Sequence, residues 1–166
     1  MNTNIKITCA IEGVVSTSGD FGNPQQQLTA RAVLDLVTGT SAGQADLVFS
    51  DQRTLSASAN ESLDLNGSLV DVFGAAANFI KIVAIYFKAA AGNANNVVVG
   101  GAASNGFFPM FGASTDTIKL PGGAGVLLFN DAGWTVTAAT ADLLKVANGG
   151  SGTAVTYDVV LVGRSA

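Results

Sequence analysis

The sequence predicts an all-β fold, an antiparallel β-sandwich of jelly-roll type, on three observations. Apolar and polar residues alternate at period two along most of the chain, as strands with one face on a core require. Glycine-rich breakers such as Asn66-Gly67, Gly100-Gly101, Pro121-Gly122-Gly123 and Asn148-Gly149-Gly150 recur at short intervals, and glycine supplies tight turns at no steric cost. The length, 166 residues, suits one domain spanning 1–166 that needs neither disulfide nor metal to hold it.

Taken in order, Ile5, Ile7, Cys9 and Ile11 share one strand face while Lys6, Thr8, Ala10 and Glu12 share the other. Ser16 to Gln27 carries Gly19, Gly22 and Pro24 without periodic apolar residues, which predicts a long loop or joint. Two readings follow for what precedes it. Residues 1–22 form either an N-terminal β-arm, whose edge adds to a neighbour's sheet, or a strand paired within its own sandwich. Leu28, Ala30, Ala32, Leu34 and Leu36 repeat the alternation, as do Leu47 with Phe49, Leu55 with Ala57, and Leu63 with Leu65. Phe79 to Phe87 is apolar on both faces and rich in β-branched and aromatic residues, so it reads as a buried strand. Val155, Tyr157, Val159 and Leu161, with Val160 and Val162 opposite them, predict an interior strand. Pro121-Gly122-Gly123-Ala124-Gly125, between two strand patterns, is expected to be a hairpin connection.

Composition removes most function classes. Eight basic residues stand against twelve acidic ones, a net charge of −4, so no polyanion-binding role and no nucleic-acid partner is expected. No apolar stretch approaches the roughly 20 residues of a membrane helix, and Met1 to Glu12 lacks an apolar signal core; a chain made in the cytoplasm without a membrane partner is the expectation. Cys9 is the only cysteine and is expected to be a small buried hydrophobe. The chain has no histidine, and Glu12 and Glu61 are its only glutamates, so the Ser–His and most metal-dependent chemistries lack their residues. Glu61 and Asp64 fall on different strand faces and do not make a paired-carboxylate site. Asp64-Leu65-Asn66-Gly67 resembles the start of a calcium loop but lacks its later acidic ligands, and a turn explains it better. No enzyme, catalytic residue, metal or cofactor is expected.

Candidate contact residues are apolar. Phe107, Phe108, Pro109, Met110 and Phe111 gather four large hydrophobes around a proline, either as a plug at one end of the sandwich or as a patch buried against another subunit. Ile5, Ile7 and Ile11 form the second candidate interface. A homo-oligomer is expected, a trimer above all, because closed rotational symmetry buries one patch in every subunit.

The succession Leu55-Ser56-Ala57-Ser58-Ala59-Asn60-Glu61-Ser62-Leu63-Asp64-Leu65, then Lys88-Ala89-Ala90-Ala91-Gly92-Asn93 with Val97-Val98-Val99-Gly100-Gly101-Ala102, then Asp131-Ala132-Gly133-Trp134, and finally the run from Asp142 to Asp158, resembles small structural proteins of tailed bacteriophages. The likeness spans roughly residues 51 to 163 and brings no functional residues with it. It implies a β-sandwich seated on the virion as a capsid decoration, or cement, protein with the major capsid protein as partner. The alternative is a tail-fibre or tail-tip module recognising a host glycan, for which Trp134 and Tyr86 would be the aromatic platform.

Overall fold

A computed structural model describes residues 2–166. Eleven strands and no helix occur among them. The body is two packed four-stranded sheets: β5 (Asn60–Asp64), β10 (Leu143–Asn148), β7 (Val97–Gly100) and β8 (Thr117–Leu120) in one, β4 (Leu47–Leu55), β11 (Val155–Arg164), β6 (Lys81–Ala89) and β9 (Gly125–Thr135) in the other. The pairing is nested. β4 pairs with β11, β5 with β10, β6 with β9 and β7 with β8, all antiparallel, so the body is one long doubled ribbon rolled up on itself.

The period-two alternation has its cause in this layering. Phe49, Leu55, Leu63, Phe87, Val99, Leu144, Tyr157 and Leu161 face inward from both sheets and form the main core. β11 lies between β4 and β6, and both its faces are apolar because Val159 and Leu161 face the main core while Val160 and Val162 join a second apolar cluster on the other side of the sheet. In β6 the register skips Val83 against both neighbours, so Val83 and Ala84 both turn to the outer face while Ile82 and Ile85 stay in the core. That bulge builds an apolar platform on the outside of the sheet. Gly163 sits beside it, where a Cβ would fall 2.1 Å from the Lys81 carbonyl oxygen; only glycine permits that approach.

A third layer covers the platform. β1 (Asn4–Ser16) and β2 (Gln25–Thr38) form a long antiparallel hairpin, with β3 (Gln44–Ala45) running parallel to the base of β2. Ile7, Leu36 and Ala45 bury themselves against Val83, Ala84 and Val162, with Ile5, Leu34, Leu127, Phe129 and Val160 packed around them. This second core is the hairpin's root.

Three expectations change here. Ser16 to Gln27 is not a joint: Ser16 and Gln25 are the last strand pair and only residues 17–24 turn, closed by Thr17 N–H donating to the Pro24 carbonyl at 3.3 Å. The arm is therefore a two-stranded ribbon rather than one hinged strand, and β1 pairs with β2 instead of entering the sandwich. Pro121 to Gly125 is no hairpin but an arch between sheets, because β8 and β9 lie in opposite ones. Gly122 presses so closely on the 90–96 connection that a Cβ would stand 2.5 Å from the Asn93 carbonyl oxygen.

The two ends of the roll differ. Connections 56–59, 90–96, 121–124 and 149–154 meet at one end, tied by Ser58 N–H to Gly150 O at 2.9 Å and Gly149 N–H to Asn96 O at 2.8 Å. The longer connections 65–80, 101–116 and 136–142 meet at the other, through Leu65 N–H to Asp142 O at 2.9 Å and Asp142 N–H to Asn105 O at 3.0 Å.

Candidate functional site

The hairpin leaves the body after its root. From the pair Thr8–Val33 to the pair Ser16–Gln25 both strands are exposed on both faces, a projection of roughly 30 Å at about 3.4 Å per residue. The register puts Ile5, Ile7, Cys9, Ile11, Gly13 and Val15 on one face together with Leu36, Leu34, Ala32, Ala30 and Leu28. The face that is buried at the root thus continues, still apolar, into open solvent: Ile11 is 66% exposed and Val15 65%. The opposite face is mixed: it sets the exposed Val14, Val33 and Val37 among polar residues and carries a Lys6–Asp35 ion pair at 3.6 Å. Phe21 stands fully exposed at the tip. A two-stranded ribbon alone in water is marginally stable, so an apolar face of this length asks for cover.

The ribbon also has a free backbone edge. Val37 spends its N–H on Gly43 O at 3.2 Å, away from β1, so Asn4–Val37 is a pair without mutual hydrogen bonds and the ladder alternates from there. Odd-numbered β1 residues bond to β2. Even-numbered ones, Lys6, Thr8, Ala10 and Glu12 among them, point their N–H and C=O groups outward, and among the described residues no strand lies beyond β1. Beneath that edge runs a notch of about 290 Å³ between Ile5–Thr8 and the outer-sheet residues Tyr86, Leu127 and Val160.

The root is rigidly pinned. Arg164, 2% exposed, donates Nε to Gln44 O at 2.8 Å and one terminal nitrogen to Asp131 O at 2.6 Å, where β9 bulges between Phe129 and Trp134. Asp131 accepts from Gly43 N–H at 2.7 Å and Asp46 accepts from Ser165 N–H at 2.9 Å, so the C-terminal strand clamps the segment that carries the arm. Thr3 adds a hydroxyl bond to the Ala45 carbonyl.

The predicted contact residues divide. Ile11 is exposed, whereas Ile7 is buried in the root and Ile5 packs against it, because the body's outer sheet already covers that end of the face. Phe107 is 2% exposed within the main core, held by its N–H on Leu143 O at 2.9 Å, so it is a plug and not a contact surface. Met110 packs on the same core, Phe111 is half-buried, and Phe108 and Pro109 are exposed. Cys9, expected inside, is exposed, since it lies one step beyond the last residue the body covers.

One polar cluster escaped the sequence. Glu61, which makes no pair with Asp64, accepts Arg53 Nε at 2.7 Å and the Tyr157 hydroxyl at 2.8 Å, and Arg53 also reaches Asp51 at 2.9 Å. The bond to Glu61 raises the Arg53 pKa, and burial followed by the same carboxylate pushes the Tyr157 phenol far above its ordinary range. The phenol is a locked donor that closes the open side of the sandwich between β4 and β5; a proton-transfer group would need a pKa near working pH. Asp64 makes the expected turn, accepting Asn66 N–H at 3.1 Å. Among the described residues no three metal-ligating side chains gather. No family model, curated protein or solved structure matches this chain.

Proposed function

We propose that this chain is a structural protein of a bacteriophage virion, a decoration or cement protein that binds and stabilises the capsid shell. It is made in the host cytoplasm and sits on the capsid surface, with the major capsid protein and further copies of itself as partners. The observation that carries the reading is the projecting ribbon, whose apolar face runs out of a firmly pinned root with nothing among the described residues to cover it. A device of this shape serves attachment.

The body supports the same reading, since its bonded charged clusters serve the fold: Arg164 clamps the root, and Arg53, Glu61 and Tyr157 close the sandwich side. The nested strand order, β4-β11-β6-β9 over β5-β10-β7-β8, supports a jelly roll, an architecture found in viral capsid and lectin domains. A glycan-binding tail module asks for an exposed aromatic platform; Trp134 packs against the core and Tyr86 lines the notch under β1. Self-association is assigned to the ribbon rather than to Phe107–Phe111, since Phe107 is spent in the core and Phe108 and Pro109 are what that run leaves exposed.

Quantitative mass spectrometry of purified particles tests the assignment. The expected result is this chain at a copy number comparable to the major capsid protein. A handful of copies would place it in the tail, and its absence from particles would overturn the proposal.

A further inference from the structure

We infer that the free edge of β1 is a two-fold self-association site: β1 of one copy pairs antiparallel with β1 of a second, centred on Cys9, joining two hairpins into one four-stranded sheet. Three independent features converge on that register. The first is charge. Lys6 and Glu12 are the only charged residues of β1, and centring on Cys9 sets Lys6 opposite Glu12 of the second copy and Glu12 opposite its Lys6. Centring on Lys6 or on Glu12 would instead oppose like charges.

The second feature is the backbone. The outward-pointing groups belong to the even-numbered residues, so Lys6–Glu12 and Thr8–Ala10 become the hydrogen-bonded pairs across the axis while Ile7 meets Ile11 and Cys9 meets Cys9 between them. Odd residues meet odd ones, so the Ile5–Ile11 faces of the two copies lie on the same side of the joined sheet. The outer edge of β2 is already taken at its base, where β3 occupies it at Val37 and Thr38.

The third is the notch. It is lined on the arm side by β1 residues alone, and it opens under the very edge at which the second strand would arrive. Ile11 of the second copy, placed beside Ile7, lies over Tyr86, Leu127 and Val160, side chains that the chain's own hairpin covers only in part. Gly13 of the second copy falls beside Ile5, where a larger residue would crowd the root. The exposed half of each ribbon is thereby covered by the other's body, which is the cover its apolar face lacks.

Cys9 reports the geometry. Opposed residues of a non-hydrogen-bonded antiparallel pair have Cα atoms about 4.5 Å apart, inside the span a disulfide bridges. The purified full chain, oxidised with diamide, which takes up the two thiol hydrogens as the disulfide forms, is expected to run as a covalent dimer on a non-reducing gel. Cys9→Ser should remain a dimer by sedimentation velocity, since the disulfide is only a probe. Glu12→Lys, an exposed change that leaves the root untouched, should slow cross-linking about tenfold or more by opposing like charges, with Glu12→Gln between the two. A monomer or trimer at high micromolar concentration, or cross-linking indifferent to Glu12→Lys, would overturn the inference. None of these results depends on particles, so the virion assignment stands or falls separately.

Discussion

Replacing residues 10–31 with Asn-Gly, which rejoins Cys9 to Ala32, is expected to leave a folded protein that no longer associates with itself or attaches to particles. Cys9 and Ala32 are a hydrogen-bonded pair, the kind a two-residue primed turn closes. Ile5, Ile7, Leu34, Leu36 and the Arg164 clamp all remain, so the second core is intact and the melting temperature should move by no more than about 2–4 °C, the equivalent of roughly 1 kcal/mol for a chain of this size. What disappears is Ile11, Val15, Leu28 and the free edge of β1. Each buried aliphatic side chain contributes about 1.5–3 kcal/mol, and even after the cost of ordering the ribbon the dissociation constant should rise about 100-fold or more. Circular dichroism and sedimentation velocity, followed by cosedimentation with particles, read these effects. A shortened protein that unfolds would make the ribbon part of the body; one that associates unchanged would move the contact elsewhere.

Phe107→Ala should be the most damaging single substitution among the predicted contact residues, lowering unfolding free energy by about 3–5 kcal/mol. Phe107 fills the end of the main core where the long 101–116 connection crosses back to β10, and its backbone is fixed to Leu143. For a domain of this length each kcal/mol moves the midpoint by about 2–4 °C, so thermal melting separates the variant clearly from wild type. Phe108→Ala, one residue on and exposed, should change stability by less than about 1 kcal/mol. Equal effects at the two positions, or a neutral Phe107→Ala, would return the run to the surface.

The fold was legible in the sequence where burial obeys a period. β4, β6 and β11 announce themselves because one or both of their faces meet the core. The hairpin misled for the same reason: Leu28, Ala30 and Ala32 alternate like core residues but face solvent, and periodicity reports which residues share a face without reporting what covers it. That also explains Cys9, whose neighbours Ile7 and Ile11 end in opposite environments. The turn at 17–24 was hidden because the polar, breaker-rich stretch Ser16–Gln27 contains the first residues of β2, glutamines that pair through backbone alone. Glu61, Arg53 and Tyr157 come from three strands and are brought together only by the rolled topology, so no local spacing points to them.

Residue-resolved amide exchange on the full chain tests most directly whether the β1 edge is a contact surface. In a ribbon left alone, the amides of Ile7, Cys9 and Ile11 are protected by β2, while those of Thr8, Ala10 and Glu12 face solvent and exchange at the rates of an unstructured peptide. At high protein concentration Thr8, Ala10 and Glu12 should exchange as slowly as their odd-numbered neighbours, and dilution should free them alone. Alternating protection that persists at every concentration would contradict a contact at the β1 edge.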